Sequence, residues 1–109
     1  MTKDEANIKA GELSAKLGKK VHCLFVSKGE EIIVGFLQEP TLRTKMAAMN
    51  SVANQQMDKA GEAILNASLI IDESDERLTL TGSDPNVYVS ACLACVQFVE
   101  VYEVEIKKN

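Results

Sequence analysis

The chain has 109 residues, 46% of them apolar and 26% charged, with six glycines and two prolines. A chain of that length builds one hydrophobic core, and those fractions exclude a disordered, collagen-like or low-complexity reading of the whole. The formal net charge is −4, which argues against nucleic-acid binding through a uniform basic field.

No stretch approaches the ~20 apolar residues of a membrane span. The N-terminus, Met-Thr-Lys-Asp-Glu, lacks the basic and apolar regions of an export signal. A cytosolic protein without a membrane partner is therefore expected, and its three cysteines read as free thiols. The charge is uneven. Residues 1–54 carry eight Lys or Arg and six Asp or Glu, whereas residues 55–109 carry four and ten. Such halves pair within one fold or between copies of it; the plain alternative is a solvated surface.

The first predicted element is a helix over residues 1–19. Thr2 and Glu5 have the spacing of a capping box, and Asp4 and Glu5 suit the positive end of the helix dipole. Ile8, Leu13 and Leu17 supply a thin apolar stripe, and Gly18 is a natural terminator. Val21 to Ser27 is rich in β-branched and aromatic residues, Lys28-Gly29-Glu30 reads as a turn, and Glu31 to Gln38 as a second strand. These form a predicted hairpin over residues 20–39. The second strand is apolar on both faces, which places it inside a sheet or under a helix. Gly35 marks a bulge or a close backbone approach.

Pro40 ends the strand, and Thr41 is positioned to cap a short helix that runs to about Asn50. Leu42, Met46 and Met49 follow one another at spacings of four and three, the period of one helix face. Asn50 to Gln56 reads as a polar joint. Asp58 is the expected cap of a further helix, with Ala60, Ala63, Ile64 and Ala67 on a narrow small-residue face. Asp72 to Glu76 reads as a solvated acidic loop without the ligand spacing of a calcium loop. Asp84-Pro85 is a strong helix start. The helix from Pro85 to about Val99 is apolar nearly all round and is expected to be the buried central one. Val101 to Ile106 either continues it or forms a last strand against the hairpin; its β-branched content favours the strand. The chain thus reads as one α+β domain, residues 1–109, with a mainly helical part over 41–109.

Little in this pattern carries chemistry. Cys92 and Cys95 form a C-x-x-C, but they fall within an apolar helix rather than at an exposed helix start, so they read as core residues. His22 and Cys23 are adjacent and on a strand face opposite ways, which defeats a four-ligand zinc site. No nucleophile-elbow pattern surrounds any serine, the single histidine, His22, lies on a hairpin strand, and no phosphate-cradling glycine loop is present. No catalytic residue, cofactor site or metal site is assigned. Leu42, Met46, Met49, Val52 and Met57 are the candidate partner-binding residues, because methionine adapts to irregular partner surfaces; core packing is the alternative.

One resemblance adds to this reading. The order Val34-Gly35-Phe36-Leu37-Gln38-Glu39-Pro40-Thr41, then Arg43 and Ala47-Ala48-Met49, then Ala60-Gly61-Glu62-Ala63-Ile64-Leu65, an apolar helix and Lys107-Lys108-Asn109 resembles the tail assembly chaperones of long-tailed bacteriophages. The resemblance implies a non-enzymatic protein of the host bacterium's cytoplasm. It would bind the tape measure protein and recruit tail tube subunits, and the opposite charge of the two halves would favour self-association along that partner. Alternative expectations are a structural virion subunit, such as a tail-completion or head–tail joining protein, and a phage-encoded regulator of a host protein.

Overall fold

The computed structural model describes residues 1–108. In chain order it comprises α1 (Lys3–Leu17), β1 (Val21–Lys28), β2 (Glu31–Gln38), α2 (Leu42–Ala53), α3 (Met57–Ser68) and α4 (Pro85–Cys95). Short 3₁₀ turns lie at Ile71–Glu73, Glu76–Leu78 and Val96–Phe98. The mixed α+β architecture matches the expectation: an N-terminal helix, an antiparallel hairpin, then helices.

The helix starts follow their sequence signals. Thr2 Oγ1 accepts from the Glu5 backbone N–H while the Glu5 carboxylate accepts from the Thr2 N–H, each at 3.1 Å, completing the capping box. Gly18 closes α1 in the left-handed region at φ +66°, where glycine carries no Cβ penalty. Thr41 caps α2 and Asp84 caps α4, with Pro85 in the first turn. Asp58 does not cap α3. The capping position is Gln56, whose side chain makes no such bond, and Asp58 lies in the first turn instead. The expected polar joint is also shorter: α2 runs to Ala53, leaving Asn54–Gln56, with Gln55 in the left-handed region at φ +60°.

The hairpin organises the rest. β1 and β2 pair antiparallel, from Val21 opposite Gln38 to Lys28 opposite Glu31. On one face Leu24, Ile33 and Leu37 join the larger core with Ala48, Ala60, Ile64, Leu65, Val87 and Ala91. On the other, Val21 and Phe36 pack against Ala6, Ala10 and Leu13 of α1. The expectation of a single core is thus corrected: the two apolar faces of β2 feed two cores, one on each side of the sheet. The side chains that bind α1 to the sheet differ from the expected stripe. Ala6, Ala10 and Leu13 are buried, while Ile8 and Leu17 are exposed. Alanine at the contact lets the helix backbone lie close to the sheet.

The outer edge of β2 is occupied as well. The Ile70 N–H donates to the Phe36 carbonyl (2.8 Å), the Asp75 N–H to the Val34 carbonyl (3.1 Å), and the Phe36 N–H to Ser74 Oγ (2.9 Å). The acidic segment is therefore stitched to the sheet rather than merely solvated. Arg77 forks across Asp75 and Glu31, and Lys9 of α1 pairs with Glu73 at 2.6 Å. The Arg77 guanidinium holds the Asp75 and Glu31 carboxyls below the usual carboxylate range. Beneath this segment Leu78 is completely buried, and it occupies the space that a Cβ on Gly35 would enter. Gly35 is thus a point of close approach, not a bulge.

Two expectations for the C-terminal part are corrected. α4 is not buried all round. Val87, Tyr88, Ala91, Cys92 and Cys95 face the core, whereas Val89 and Leu93 lie exposed among Asn86, Ser90 and Gln97. The helix also stops at Cys95, and after the Val96–Phe98 turn no strand forms. Residues 101–108 are exposed and pair with no neighbouring backbone; without a partner, period-two alternation does not make a strand.

α3 and α4 meet at Gly61. A Cβ there would lie 1.8 Å from the Cys92 carbonyl oxygen, a backbone atom that cannot swing aside. Gly11, midway along α1, has open space around the same position. The same substitution should therefore act in opposite directions at the two sites. Gly61→Ala is expected to destabilise by about 1–3 kcal/mol or more through overpacking. Gly11→Ala should stabilise by about 0.5–1 kcal/mol through helix propensity. Urea denaturation of both variants measures this.

Candidate functional site

α2 is held to the body by one face. Ala48 is fully buried, and Thr44, Lys45, Ser51 and Val52 flank it, half-buried. Leu42, Met46 and Met49 fall within about 60° of one another on the helix, at about 100° per residue, and away from that contact. They are 76%, 58% and 36% exposed. An amphipathic helix ordinarily turns such residues inward. Here Ala48, Val52 and polar residues make the contact, and the larger Leu42, Met46 and Met49 side chains face outward.

The candidate residues therefore separate. Leu42, Met46 and Met49 share one outward face. Val52 turns inward and packs against the larger core. Met57 is 47% exposed but lies beyond the joint, on the first turn of α3.

At the N-terminal end of α2 the surroundings are polar. Glu39 accepts from Lys45 Nζ at 2.9 Å and pairs with His22 Nε2, and first Lys45, then His22, holds its carboxyl below the usual range. The His22 ring meets Phe98 edge-on, with centroids 5.0 Å apart. Cys23, the next residue, faces α1, where its thiol contacts the Ala6 carbonyl. His22 and Cys23 thus lie on opposite faces of the strand, as their adjacency predicts.

Cys92 and Cys95 are buried, and burial pushes the Cys95 thiol up to about 12. Burial raises the Cys92 thiol as well, the opposite of the exposed, low-pKa setting of a reactive redox cysteine. Among the described residues, no group of three or more His, Cys, Asp or Glu side chains gathers in a way that would hold a metal ion. Among the same residues, no helix is long and apolar enough to cross a membrane.

Sequence reasoning missed a second apolar surface. Val89 and Leu93 border a recess of about 200 Å³ with Tyr88, Cys92, Asp58 and Glu62. Tyr88 Oη donates to Glu62 and receives the Asn66 amide, while burial pushes its phenol up to about 12. The missed signal was the polar series Asn86, Ser90 and Gln97, whose helical spacing marks the outward side on which Leu93 also falls.

Comparison with protein-family models, curated proteins and solved structures returns no match.

If the Leu42–Met46–Met49 face is surface rather than core, charge on it should leave the fold intact. Met46→Lys and Met49→Lys are expected to change stability by no more than about 0.5 kcal/mol. Ala48→Leu, on the buried side of the same helix, should cost about 1–3 kcal/mol. Thermal unfolding followed by circular dichroism separates the two classes.

Proposed function

We propose that this chain is a non-catalytic assembly protein of a tailed bacteriophage. In this reading it is a tail assembly chaperone that holds the tape measure protein and brings tail tube subunits to it in the host cytoplasm. The observation that carries the reading is the outward face of α2, where one leucine and two methionines stand exposed on a helix whose core contacts are made by other residues. A helical partner docks on such a face through apolar anchors at three- and four-residue spacing. Methionine suits a chaperone that must accept many segments of a long partner, because its flexible thioether repacks against irregular surfaces. The uneven charge of the chain adds a means for copies to associate along that partner. The role needs no cofactor and no nucleic acid.

A structural virion subunit is the second reading, and the exposed C-terminal segment favours it, since an unpaired extended segment can dock on a neighbouring subunit. Two measurements test the proposal together. The tape measure protein should co-purify with this chain from infected-cell lysate, and the Met46→Lys, Met49→Lys double variant should lose it while staying folded. Quantitative mass spectrometry should find abundant peptides of the chain in lysate and none in finished particles. Stoichiometric peptides in the particle would make it a structural subunit, and retention of the partner by the variant would remove the α2 face from the proposal.

A further inference from the structure

The sheet has one occupied edge and one open edge. The Lys20 carbonyl accepts from the Glu39 N–H at 2.9 Å, so by antiparallel alternation the even-numbered residues of β1 are those bonded to β2. The N–H and C=O groups of Val21, Cys23, Phe25 and Ser27 therefore point the other way. β2 is the only strand that pairs with β1 among the described residues. An unpaired edge of this kind is a template for another strand.

Beside this edge, β1 and α4 leave a groove made of two recesses of about 330 Å³ each. One is bordered by His22, Leu24, Ala94, Phe98, Gln97 and Glu100, the other by Val26, Val87, Asn86, Ser90 and the Lys28–Asp84 ion pair, so both mix apolar and polar side chains. On the opposite face of β1, Lys3 Nζ stands 5.4 Å from the Phe25 ring centre. A strand added here would thus meet a partly apolar groove on one side and a lysine on the other.

The chain carries a segment of that design. Tyr102, Val104 and Ile106 alternate with Glu103 and Glu105, and the apolar members are 77% exposed. In an extended strand Tyr102 to Ile106 spans about 13 Å, the span of His22 to Val26. The segment forms no strand with the open edge of its own molecule. Tyr102 borders a recess with Lys20, His22, Glu39, Lys45, Phe98 and Glu100, at the end of the hairpin where β1 begins.

We propose that residues 101–106 of one copy add as a third strand to the open β1 edge of a second copy. Tyr102, Val104 and Ile106 then enter the β1–α4 groove, and Glu103 and Glu105 face the Lys3 side. Main-chain hydrogen bonds to Cys23, Phe25 and Ser27 supply affinity, and the alternating side chains fix which face is turned in. The occupant is a second copy of the chain, so the proposal stands apart from the tape measure reading.

Sedimentation velocity of the full-length chain over a range of concentrations tests it, with hydrogen exchange on the same samples. The expected result is a species of at least two chains that dissociates on dilution. Val104→Asp should weaken association about tenfold or more by placing a charge in the groove. The same change should expose the amides of Cys23, Phe25 and Ser27 to exchange, while Met46→Lys should leave association unchanged. A monomer at every concentration would overturn the proposal. So would association indifferent to Val104→Asp, dissociation by Met46→Lys, or protection of those β1 amides in a monomer, which would mean that the tail pairs with its own edge.

Discussion

The structure depends on a single strand that is apolar on both sides. Ile33 and Leu37 of β2 enter the core made with α3 and α4, while Phe36 enters the core made with α1. A hairpin alone is marginal in water, so each of its faces requires a helical cover. The third demand is at the outer edge of β2, whose backbone groups would otherwise be left to solvent. The segment from Ile70 to Asp75 meets it with two backbone donors and a serine hydroxyl. Arg77, Lys9 and the buried Leu78 then hold that segment in place. The order of elements follows from those three demands.

Satisfying β2 leaves the other surfaces free. The larger core is closed by α3 and α4, which approach so closely that only glycine fits at position 61. α2 needs to supply little more than Ala48 and the inward side of Val52. Its Leu42, Met46 and Met49 are therefore not required by the fold, and their presence on the outside calls for a use other than packing. The same holds at the other edge of the sheet, where β1 has no strand beside it and the chain ends in an alternating segment with no sheet of its own. An apolar helix face, an open edge and an unpaired arm are the three surfaces on which the proposed associations rest.

Much of this was legible in the sequence where the signal is local. The Thr2–Glu5 box, Gly18, Thr41 and Asp84-Pro85 mark helix ends through bonds made within a few residues, and the structure places them there. The two-sided apolar character of β2 and the four–three spacing of Leu42, Met46 and Met49 were equally plain. What escaped depends on contacts between distant segments. Nothing near Leu78 says that it fills the space over Gly35, and nothing near Ser74 says that its hydroxyl serves the Phe36 amide. An all-apolar α4 hides its own orientation, because periodicity vanishes when both faces look alike. The tail shows the converse: Val101 to Ile106 has a strand's composition, but a strand exists only beside another one. Val52 was misplaced on the candidate face because its apolar side chain fits either side of α2, and the larger core takes it.

The central claim is that the outward face of α2 is a binding surface. Methionine methyl groups report on it directly, since the chain has four methionines and two of them lie on that face. With the methyl carbons labelled, the protein would be titrated with the tape measure protein and followed by NMR. The account predicts that the Met46 and Met49 signals shift together and saturably while Met1 stays in place. Unchanged Met46 and Met49 signals in the presence of a bound partner would contradict it.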